Sequence, residues 1–310
     1  MHIPVLFKES IDALSIKKDG IYVDGTLGGA GHAAEIAKHL GPDGTLIGFD
    51  LDSNAIARAA SALRSGEPKA QCKIILVREN FRNLDQVLME NNIEQVDGIF
   101  LDLGWSSFQI ADPERGFSFQ VNGPLHMTLK DNPTDEDITA WDIVNTWEEG
   151  VIADMLYAYA DERASRKIAR AIVDYRKRKA IDTTFDLVAV IESVLPKKAW
   201  MRTNPATKTF QALRIATNDE YGAVKDVLIK GFEKLKQGGR FAIITFHSGE
   251  DRIVKNFFRD QAHAGLATLI TKKPIIPTDE EVRENPRARS AQLRILEKVV
   301  PPPASPSDSL

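Results

Sequence analysis

The segment 21–32 reads IYVDGTLGGAGH and joins a short apolar run to a glycine-rich turn that leads into a helical pattern. Glycines let the backbone turn sharply and approach a ligand closely. A strand, a turn of this kind and a helix therefore predict the first unit of an α/β fold with a ligand-binding loop. A tight turn without any ligand fits the same residues, so the turn alone does not decide function.

On both sides of the chain's middle, short apolar runs alternate with amphipathic segments, which is typical of a sheet with crossover helices. In the first part, strands are predicted at 21–24, 45–50, 73–77 and 98–102, and helices near 31–39, 53–64 and 81–92. In the last part, helices are predicted at 218–236 and 249–261, and strands at 240–247 and near 266–273 and 291–298.

Between these two parts the strand pattern stops and the chain is almost entirely helical in pattern. Helices are predicted at 134–146, 148–158, 161–179 and 183–194. We therefore expect a doubly wound sheet domain formed by 1–105 and 213–300, an all-helical insertion at 106–212, and a disordered tail at 301–310. An insertion at this place normally overhangs the carboxyl edge of the sheet, where ligands bind.

Composition excludes several classes of protein. With 43% hydrophobic and 27% charged residues, the chain is neither disordered nor collagen-like. The only cysteine, Cys72, allows no internal disulfide, and no cluster of side chains has metal-ligand spacing, so we expect no metal. No signal-peptide core or membrane span is evident, which predicts a cytoplasmic protein without membrane contact. The net charge of −4 does not by itself favour a polyanionic partner.

Acidic residues indicate what the glycine-rich turn holds. Asp50 follows Gly31 by 19 residues at the end of the second strand, a spacing that suits a carboxylate on the hydroxyls of a ribose. Nicotinamide dinucleotides and S-adenosylmethionine both carry such a ribose. Asp24 and Asp52 add negative charge nearby, and Asp102 ends the fourth strand. Because a pyrophosphate needs positive partners and a sulfonium needs negative ones, S-adenosylmethionine is favoured, with a dinucleotide oxidoreductase as the alternative.

Five sequence blocks, in order, make the chain resemble a known family of enzymes. It resembles the MraW family of bacterial ribosomal RNA small-subunit methyltransferases H over almost its whole length. The blocks are DGTLGGAGH at 24–32, LDLGWSSFQI with RGFSF at 101–110 and 115–119, NPATKTFQALRI at 204–215, FHSGEDRIVKNFF at 246–258 and NPRARSAQLRILEK at 285–298.

The resemblance implies a Rossmann-like class I methyltransferase that transfers a methyl group from S-adenosylmethionine to N4 of a cytidine in the decoding region of 16S rRNA. The RNA would be recognised within the small ribosomal subunit, and a homodimer is compatible with the resemblance. Carried over position by position, the residues expected to contact the methyl donor are Ala30, Gly31, His32, Asp50, Phe81, Asp102 and Gln109. Phe81 and Gln109 rest on the resemblance alone.

The chain also departs from the family pattern. Where the family usually reads DGPLDMRMD, this chain has NGPLHMTLK at 122–130, so Asn122, His126, Thr128 and Lys130 replace the usual residues. Trp105 and Gly249 are further changes. If the 122–130 segment shapes the cytosine pocket, an alternative is a protein that binds S-adenosylmethionine or RNA with weak or altered methyl transfer.

The chemistry of a cytosine amine leaves the catalytic residue open. Its lone pair is delocalised into the ring, so the enzyme must hold N4 in line with the methyl group and supply hydrogen-bond acceptors. Asp102 has the right location, but cofactor binding explains it equally well. Trp105 fits either stacking on an extruded base or packing beneath the inserted helices. Methylation at carbon 5 would need a cysteine nucleophile, and Cys72 begins the third strand, remote from the carboxyl edge.

Basic residues in the inserted segment indicate where RNA binds. Residues 163–179 hold eight Lys or Arg and one acid, and helical spacing places Arg163, Arg166, Lys167, Arg170 and Lys177 on one face. An acid-free run from 197 to 214 adds Lys197, Lys198, Arg202, Lys208 and Arg214. A solvated helix face is the alternative meaning, but the two basic stretches together favour a phosphate-binding surface.

Overall fold

The structure is a computed structural model that describes residues 4–65, 70–104, 107–134, 136–195 and 204–300. The chain divides into two compact units. The sheet unit comprises Met1–Gly104 and Gly222–Leu310, and the helical unit is Trp105–Tyr221. The sequence places the second boundary at 212/213, which falls inside a continuous helix, Thr207–Thr217.

The sheet unit has strands and helices in alternation. Its first part contains α1 (Phe7–Leu14), β1 (Ile21–Asp24), α2 (Gly31–His39), β2 (Thr45–Phe49), α3 (Ser53–Ser65), β3 (Lys73–Val77), α4 (Leu84–Glu90) and β4 (Val96–Asp102). The helical unit contains α5 (Ser107–Ala111), α6 (Ala140–Thr146), α7 (Glu149–Ala160), α8 (Ser165–Arg176), α9 (Thr184–Val194) and α10 (Thr207–Thr217). The chain then continues with α11 (Glu220–Lys234), β5 (Leu235–Thr245), α12 (Ser248–His263), β6 (Ala267–Leu269), α13 (Asp279–Glu284) and β7 (Gln292–Lys298).

The seven strands form one sheet in the order β3-β2-β1-β4-β5-β7-β6. The first five are parallel, while β7 runs antiparallel to both β5 and β6. Strand order reverses between β1 and β4, and ligands of doubly wound sheets bind at the carboxyl ends of the strands on either side of such a point. The structure therefore has the Rossmann-like α/β architecture that the sequence predicts.

Apolar side chains cover both faces of this sheet. One cluster contains residues of α1 and α2, such as Leu14 and Ile36, and the other contains residues of α4 and α11, such as Leu88 and Val227. The helical unit has a core of its own around Ile143, among others. Among the described residues, no helix is long and apolar enough to cross a membrane.

Several element boundaries differ from the predicted ones for local reasons. Helix α6 begins at Ala140 and not at 134, because Thr139 and Asp142 form a reciprocal capping box that starts the helix there. Helix α11 ends at Lys234, and β5 begins directly after it. Gly238 and Gly239 lie inside β5, where the pairing with β4 shifts register and Gly238 takes φ +74°. Helices α1, α5, α10 and α13 have no counterpart in the sequence prediction.

Candidate functional site

The loop between β1 and α2 lies on the carboxyl edge of the sheet. The N–H of Gly25 donates to the carbonyl of Phe100 at 2.9 Å, and the N–H of Leu27 donates to the carbonyl of Phe49 at 3.1 Å. A side chain at Gly25 has no room, because a Cβ there would lie 2.3 Å from Cδ2 of Leu101. The backbone of β2 and β4 thus holds the loop at the strand ends, where the sequence predicts a ligand.

Asp50 follows β2 and fixes the far side of this loop. Its Oδ2 accepts the N–H of Gly28 at 2.9 Å, and its Oδ1 accepts the N–H of Asp52 at 2.9 Å. Burial raises the pKa of Asp50, and the two backbone N–H groups oppose that rise. Since a carboxylate oxygen has two lone pairs, each oxygen retains one acceptor site beside the loop. This geometry suits a ligand with two neighbouring hydroxyls.

Asp24 ends β1 directly beneath the loop. It is 1% exposed, and its Oδ1 accepts the N–H of Thr26 at 3.0 Å. Its Oδ2 is buried and has no hydrogen-bond partner within the described part of the chain. Burial raises the pKa of Asp24 to about 7, and the carboxylate of Asp50 adds to the rise. A buried carboxyl with an unused oxygen is costly, so it indicates a ligand group at this point.

Asp102 ends β4 on the other side of the switch point. Burial raises the pKa of Asp102 to about 8, with further contributions from the charges of Asp24 and Glu250. Oδ1 of Asp102 is buried without a hydrogen-bond partner among the described residues, and Oδ2 lies 4.0 Å from Nδ1 of His32. The backbone N–H of Asp102 donates to Oγ1 of Thr26 at 2.6 Å, which joins the ends of β1 and β4. A cationic ligand would favour the ionised carboxylates here.

His32 stands in the first turn of α2, facing these acids. It is 6% exposed and lies between two aromatic rings, with centroids 4.5 Å away in Phe100 and 5.6 Å away in Phe7. Ala30 precedes α2 with φ +64°, a left-handed conformation that is unusual for alanine. The loop thus contains a strained residue next to the predicted ligand contacts, as binding loops often do.

The remaining two predicted residues lie in different units. Phe81 begins a 3-10 turn that Asn80 caps. Phe81 borders the same loop, because a Cβ added to Gly25 would lie 3.1 Å from Cβ of Phe81. Gln109 lies in α5 of the helical unit and is 7% exposed. Six of the seven predicted residues therefore belong to the sheet unit.

Two charged residues near this site were missed by sequence reasoning. Arg58 of α3 donates from Nε to the carbonyl of Gly28 at 3.4 Å, and its Nη2 lies 3.9 Å from Oδ2 of Asp52. Glu250 of α12 is 1% exposed and contributes to the raised pKa of Asp102. Both lie on helices that follow a strand, which is the only signal that could have pointed to them.

Side chains cap the helices that follow β2 and β5. Asp52 precedes α3, and its Oδ1 accepts the N–H of Asn54 at 2.8 Å. His247 caps α12, since its Nδ1 accepts the N–H of Glu250 at 3.4 Å. Asp251, in the first turn of α12, forms two hydrogen bonds with Arg294 of β7, at 2.6 and 3.0 Å.

The position of Cys72 agrees with the expectation that it is not a nucleophile. Cys72 lies immediately before β3, at the amino end of the sheet, and burial raises the pKa of its thiol. A buried, protonated thiol away from the carboxyl edge is a poor nucleophile. Trp105 lies outside the described residues.

Helix α8 carries three of the five cations predicted to share one helical face, Arg166, Lys167 and Arg170, whereas Arg163 lies before the helix and Lys177 directly follows it. Ile168, Ala169 and Ile172 are fully buried. The five predicted cations are all exposed: Arg163, Arg166, Lys167, Arg170 and Lys177. Three of them have acidic neighbours, since Arg166 pairs with Asp154 at 2.8 Å and Asp174 accompanies Arg170 and Lys177. The helix thus presents exposed positive charge opposite its apolar face.

Two arginines of the helical unit are held by hydrogen bonds within it, whereas Lys208 is exposed. Arg176 donates to the carbonyls of Val144 and Trp147 at 2.7 and 2.6 Å. Arg214 is 4% exposed and holds Glu220 through two hydrogen bonds, at 2.6 and 2.7 Å, so its predicted place in a phosphate-binding surface is wrong. Lys208 donates to a backbone carbonyl at 2.8 Å. Lys197, Lys198 and Arg202 lie outside the described residues.

The divergent segment 122–130 is built into the helical unit. Asn122 accepts the N–H of Phe185 through Oδ1 at 3.3 Å, and Nδ1 of His126 lies 3.2 Å from the carbonyl of Glu114. Thr128 is 5% exposed. The side chain of Lys130 pairs with the carboxylate of Asp137. The backbone is anchored as well, because Asn218 binds Met127 and Leu129 on either side of Thr128. The changed residues therefore belong to an ordered network.

Comparison with known proteins assigns the chain to a family. The model of the MraW methylase family matches residues 1–299. The chain belongs to this family. The resemblance predicted from the five sequence blocks is thereby confirmed.

Relatives named ribosomal RNA small subunit methyltransferase H match nearly the whole chain. The protein of Acetivibrio thermocellus is 46% identical over 314 residues, which cover 96% of this chain and 99% of the relative. That of Fusobacterium nucleatum is 43% identical, with 96% and 97% covered. The relative from Carboxydothermus hydrogenoformans is 42% identical, with 96% and 98% covered.

The geometry of this MraW methylase fits a methyl donor with a positive charge. Asp24 and Asp102 each have a buried oxygen without a partner among the described residues, and a positive charge nearby would lower their raised pKa values. Arg58, the cation found beside the loop, is engaged by Gly28 and Asp52. The set of groups at the loop therefore favours S-adenosylmethionine over a dinucleotide.

Proposed function

We propose that this protein is an S-adenosylmethionine-dependent methyltransferase that methylates N4 of a cytidine in the decoding region of 16S rRNA. The observation that carries the proposal is the group of three carboxyls around the glycine-rich loop, two of which have raised pKa values of about 7 and 8. Membership of a methylase family and relatives named as ribosomal RNA methyltransferases support the same reaction and substrate.

Each predicted methyl-donor contact in the sheet unit has a role in this proposal. Ala30, Gly31 and His32 line the methyl donor, Asp50 accepts hydrogen bonds from its ribose hydroxyls, and Phe81 borders the adenine. Asp102 faces the positively charged end of the donor. Gln109 completes the set on the family pattern. The donor supplies an electrophilic methyl group, and the chain supplies orientation and acceptors for the amine hydrogens.

The helical unit serves as the RNA-recognition domain in this proposal. Exposed cations on α8 meet phosphates, while its buried face anchors the helix in the core of the unit. The target cytidine is reached within a partly assembled small subunit, because sequence-specific RNA enzymes act on unpaired bases displayed in a particular shape. With such a substrate, the protein acts in the cytoplasm.

The decisive experiment uses small subunits that lack the modification. Incubation with labelled S-adenosylmethionine and the full chain is expected to yield N4-methylcytidine, identified by mass spectrometry of digested 16S rRNA. The Asp50→Ala variant serves as the matched negative control. A short unstructured oligonucleotide is expected to be methylated poorly.

Two other functions have distinct outcomes in the same experiment. A protein that binds S-adenosylmethionine or RNA without turnover would bind its ligand but leave no methylcytidine. An oxidoreductase would bind a nicotinamide dinucleotide in place of S-adenosylmethionine. The divergent segment 122–130 is the feature that suggests a protein without turnover, but its ordered network and the family relatives do not favour it.

A further inference from the structure

The first described residues of the chain form one wall of the glycine-rich loop. Pro4 lies so close to Gly31 that a Cβ on Gly31 would be 2.4 Å from Cγ of Pro4. Phe7 packs beside His32, with ring centroids 5.6 Å apart. Residues 4–7, called here the amino-terminal segment, therefore contact two residues of the proposed methyl-donor site.

Leu6, in the middle of this segment, has a strained backbone. It takes φ +49° and ψ +40°, the left-handed region that a leucine rarely adopts. Its side chain is 1% exposed. A conformation of this kind persists only where surrounding contacts hold it, and such residues concentrate at ligand sites.

One hydrogen bond that holds the backbone of Leu6 comes from a distant part of the chain. The N–H of Leu6 donates to Oε1 of Glu281, in α13, at 2.7 Å. The N–H of Glu281 in turn donates to Oγ1 of Thr278, the cap of α13, at 3.2 Å. Just before that cap, Ile275 and Leu293 exchange two backbone hydrogen bonds, at 2.9 and 2.8 Å, which tie the segment to β7. An unbroken series of contacts thus joins the sheet to the amino-terminal segment.

We propose that Glu281 is a positioning residue of the methyl-donor site, whose carboxylate holds the amino-terminal segment against Gly31 and His32. This inference rests on the proposed function, because it assumes that the loop holds S-adenosylmethionine. Glu281 acts through Leu6. Without the carboxylate oxygen, the N–H of Leu6 loses its acceptor and the left-handed turn loses its support, so Pro4 and Phe7 no longer fix the loop.

Three variants of the full chain test the proposal by calorimetric titration with S-adenosylmethionine. Glu281→Ala removes the acceptor and is expected to raise the Kd about tenfold. Glu281→Gln keeps an oxygen that accepts the N–H of Leu6, so its Kd stays within about twofold of the unchanged protein. Glu280→Ala removes an exposed acid from the same helix and leaves the Kd unchanged.

Hydrogen exchange without any ligand supplies a second readout. Amides of the peptide 4–10 are expected to exchange faster in Glu281→Ala and at the unchanged rate in Glu281→Gln. Pro4→Ala keeps the Leu6 hydrogen bond but loses the packing on Gly31, so it also weakens binding and keeps the test informative if Glu281→Ala does not fold.

The outcomes separate this inference from the proposed function. If the unchanged protein does not bind S-adenosylmethionine, the proposed function fails, and so does the positioning role that depends on it, whatever hydrogen exchange shows. If the unchanged protein binds but Glu281→Ala binds equally well, or Glu281→Gln loses as much affinity as Glu281→Ala, the positioning role alone is overturned. Faster exchange in Glu281→Ala without loss of affinity would also overturn it.

Discussion

The two units of this protein hold their charges in opposite ways. The sheet unit buries Asp24 and partly buries Asp102, and each has a buried oxygen without a hydrogen-bond partner among the described residues. The helical unit instead exposes the cations of α8 to solvent. A buried carboxyl oxygen without a hydrogen bond is costly, so even one such group indicates a ligand. An exposed cation costs little, so only several of them together indicate a binding partner.

Within the helical unit, burial also separates structural cations from those available to RNA. Arg176 and Arg214 are bound by carbonyls and by a carboxylate. Arg163 and Lys167 are exposed, and the described residues show no ion pair for either. The sequence treats all four alike, since each adds one positive charge to a basic stretch.

The largest effect is expected from Arg214→Met. Because it removes two hydrogen bonds from a buried guanidinium to the largely buried carboxylate of Glu220, we expect the free energy of unfolding to fall by about 3–5 kcal/mol. Urea denaturation followed by circular dichroism measures this change. Arg163→Met is the matched control and should change stability by less than about 0.5 kcal/mol. Equal stability of the two variants would remove the distinction between structural and available cations.

The next largest effect is expected from Asp50→Ala in the sheet unit. Loss of two hydrogen bonds from ribose hydroxyls to a charged acceptor should raise the Kd for S-adenosylmethionine about a hundredfold, as measured by calorimetry. Asp43→Ala, which removes an exposed acid just before β2, should leave the Kd unchanged. Unchanged affinity in Asp50→Ala would show that this carboxylate does not bind the ribose.

A smaller effect is expected on how the stability of the folded protein depends on pH, and it comes from Asp102. Its pKa is about 8 in the folded protein against an ordinary 3.8, so the folded state holds a proton that the unfolded chain releases between these values. Stability without ligand should therefore fall as pH rises from about 5 to 8. Asp102→Asn cannot ionise and should lack this fall, so its stability relative to the unchanged protein should increase steadily from pH 5 to pH 8.

Urea denaturation at several pH values provides the measurement. Asp43→Asn is the control, because an exposed carboxylate should give the same pH dependence as the unchanged protein. A constant difference between Asp102→Asn and the unchanged protein across this range would mean that Asp102 is ionised throughout, and that its burial is less costly than the structure implies.

The sequence predicts those features that depend on local patterns. The glycine-rich loop, the strands β1 to β4 and the position of Asp50 follow from periodicity and spacing, and all lie where expected. Features that need contacts between distant elements were not predictable. The raised pKa of Asp102 depends on Asp24 and Glu250, and the burial of Arg214 depends on how α10 packs. Sequence patterns show neither, because charge and hydropathy do not say which groups meet.

The smallest effect is expected from the double variant Arg163→Gln with Lys167→Gln. Removing these exposed cations should not change the free energy of unfolding. Binding to 16S rRNA should weaken by about three- to tenfold, because one or two phosphates are no longer neutralised. The slope of affinity against salt should become shallower by about 0.7–0.9 for each such phosphate. Filter binding at several salt concentrations measures both, and affinity for S-adenosylmethionine should not change.

Arg166→Gln provides a comparison within the same helix, because Arg166 already pairs with Asp154 and its removal should matter less. If the double variant bound RNA with unchanged affinity and salt slope, the basic face of α8 would be only a solvated surface, and the contrast between the two units would reduce to burial alone.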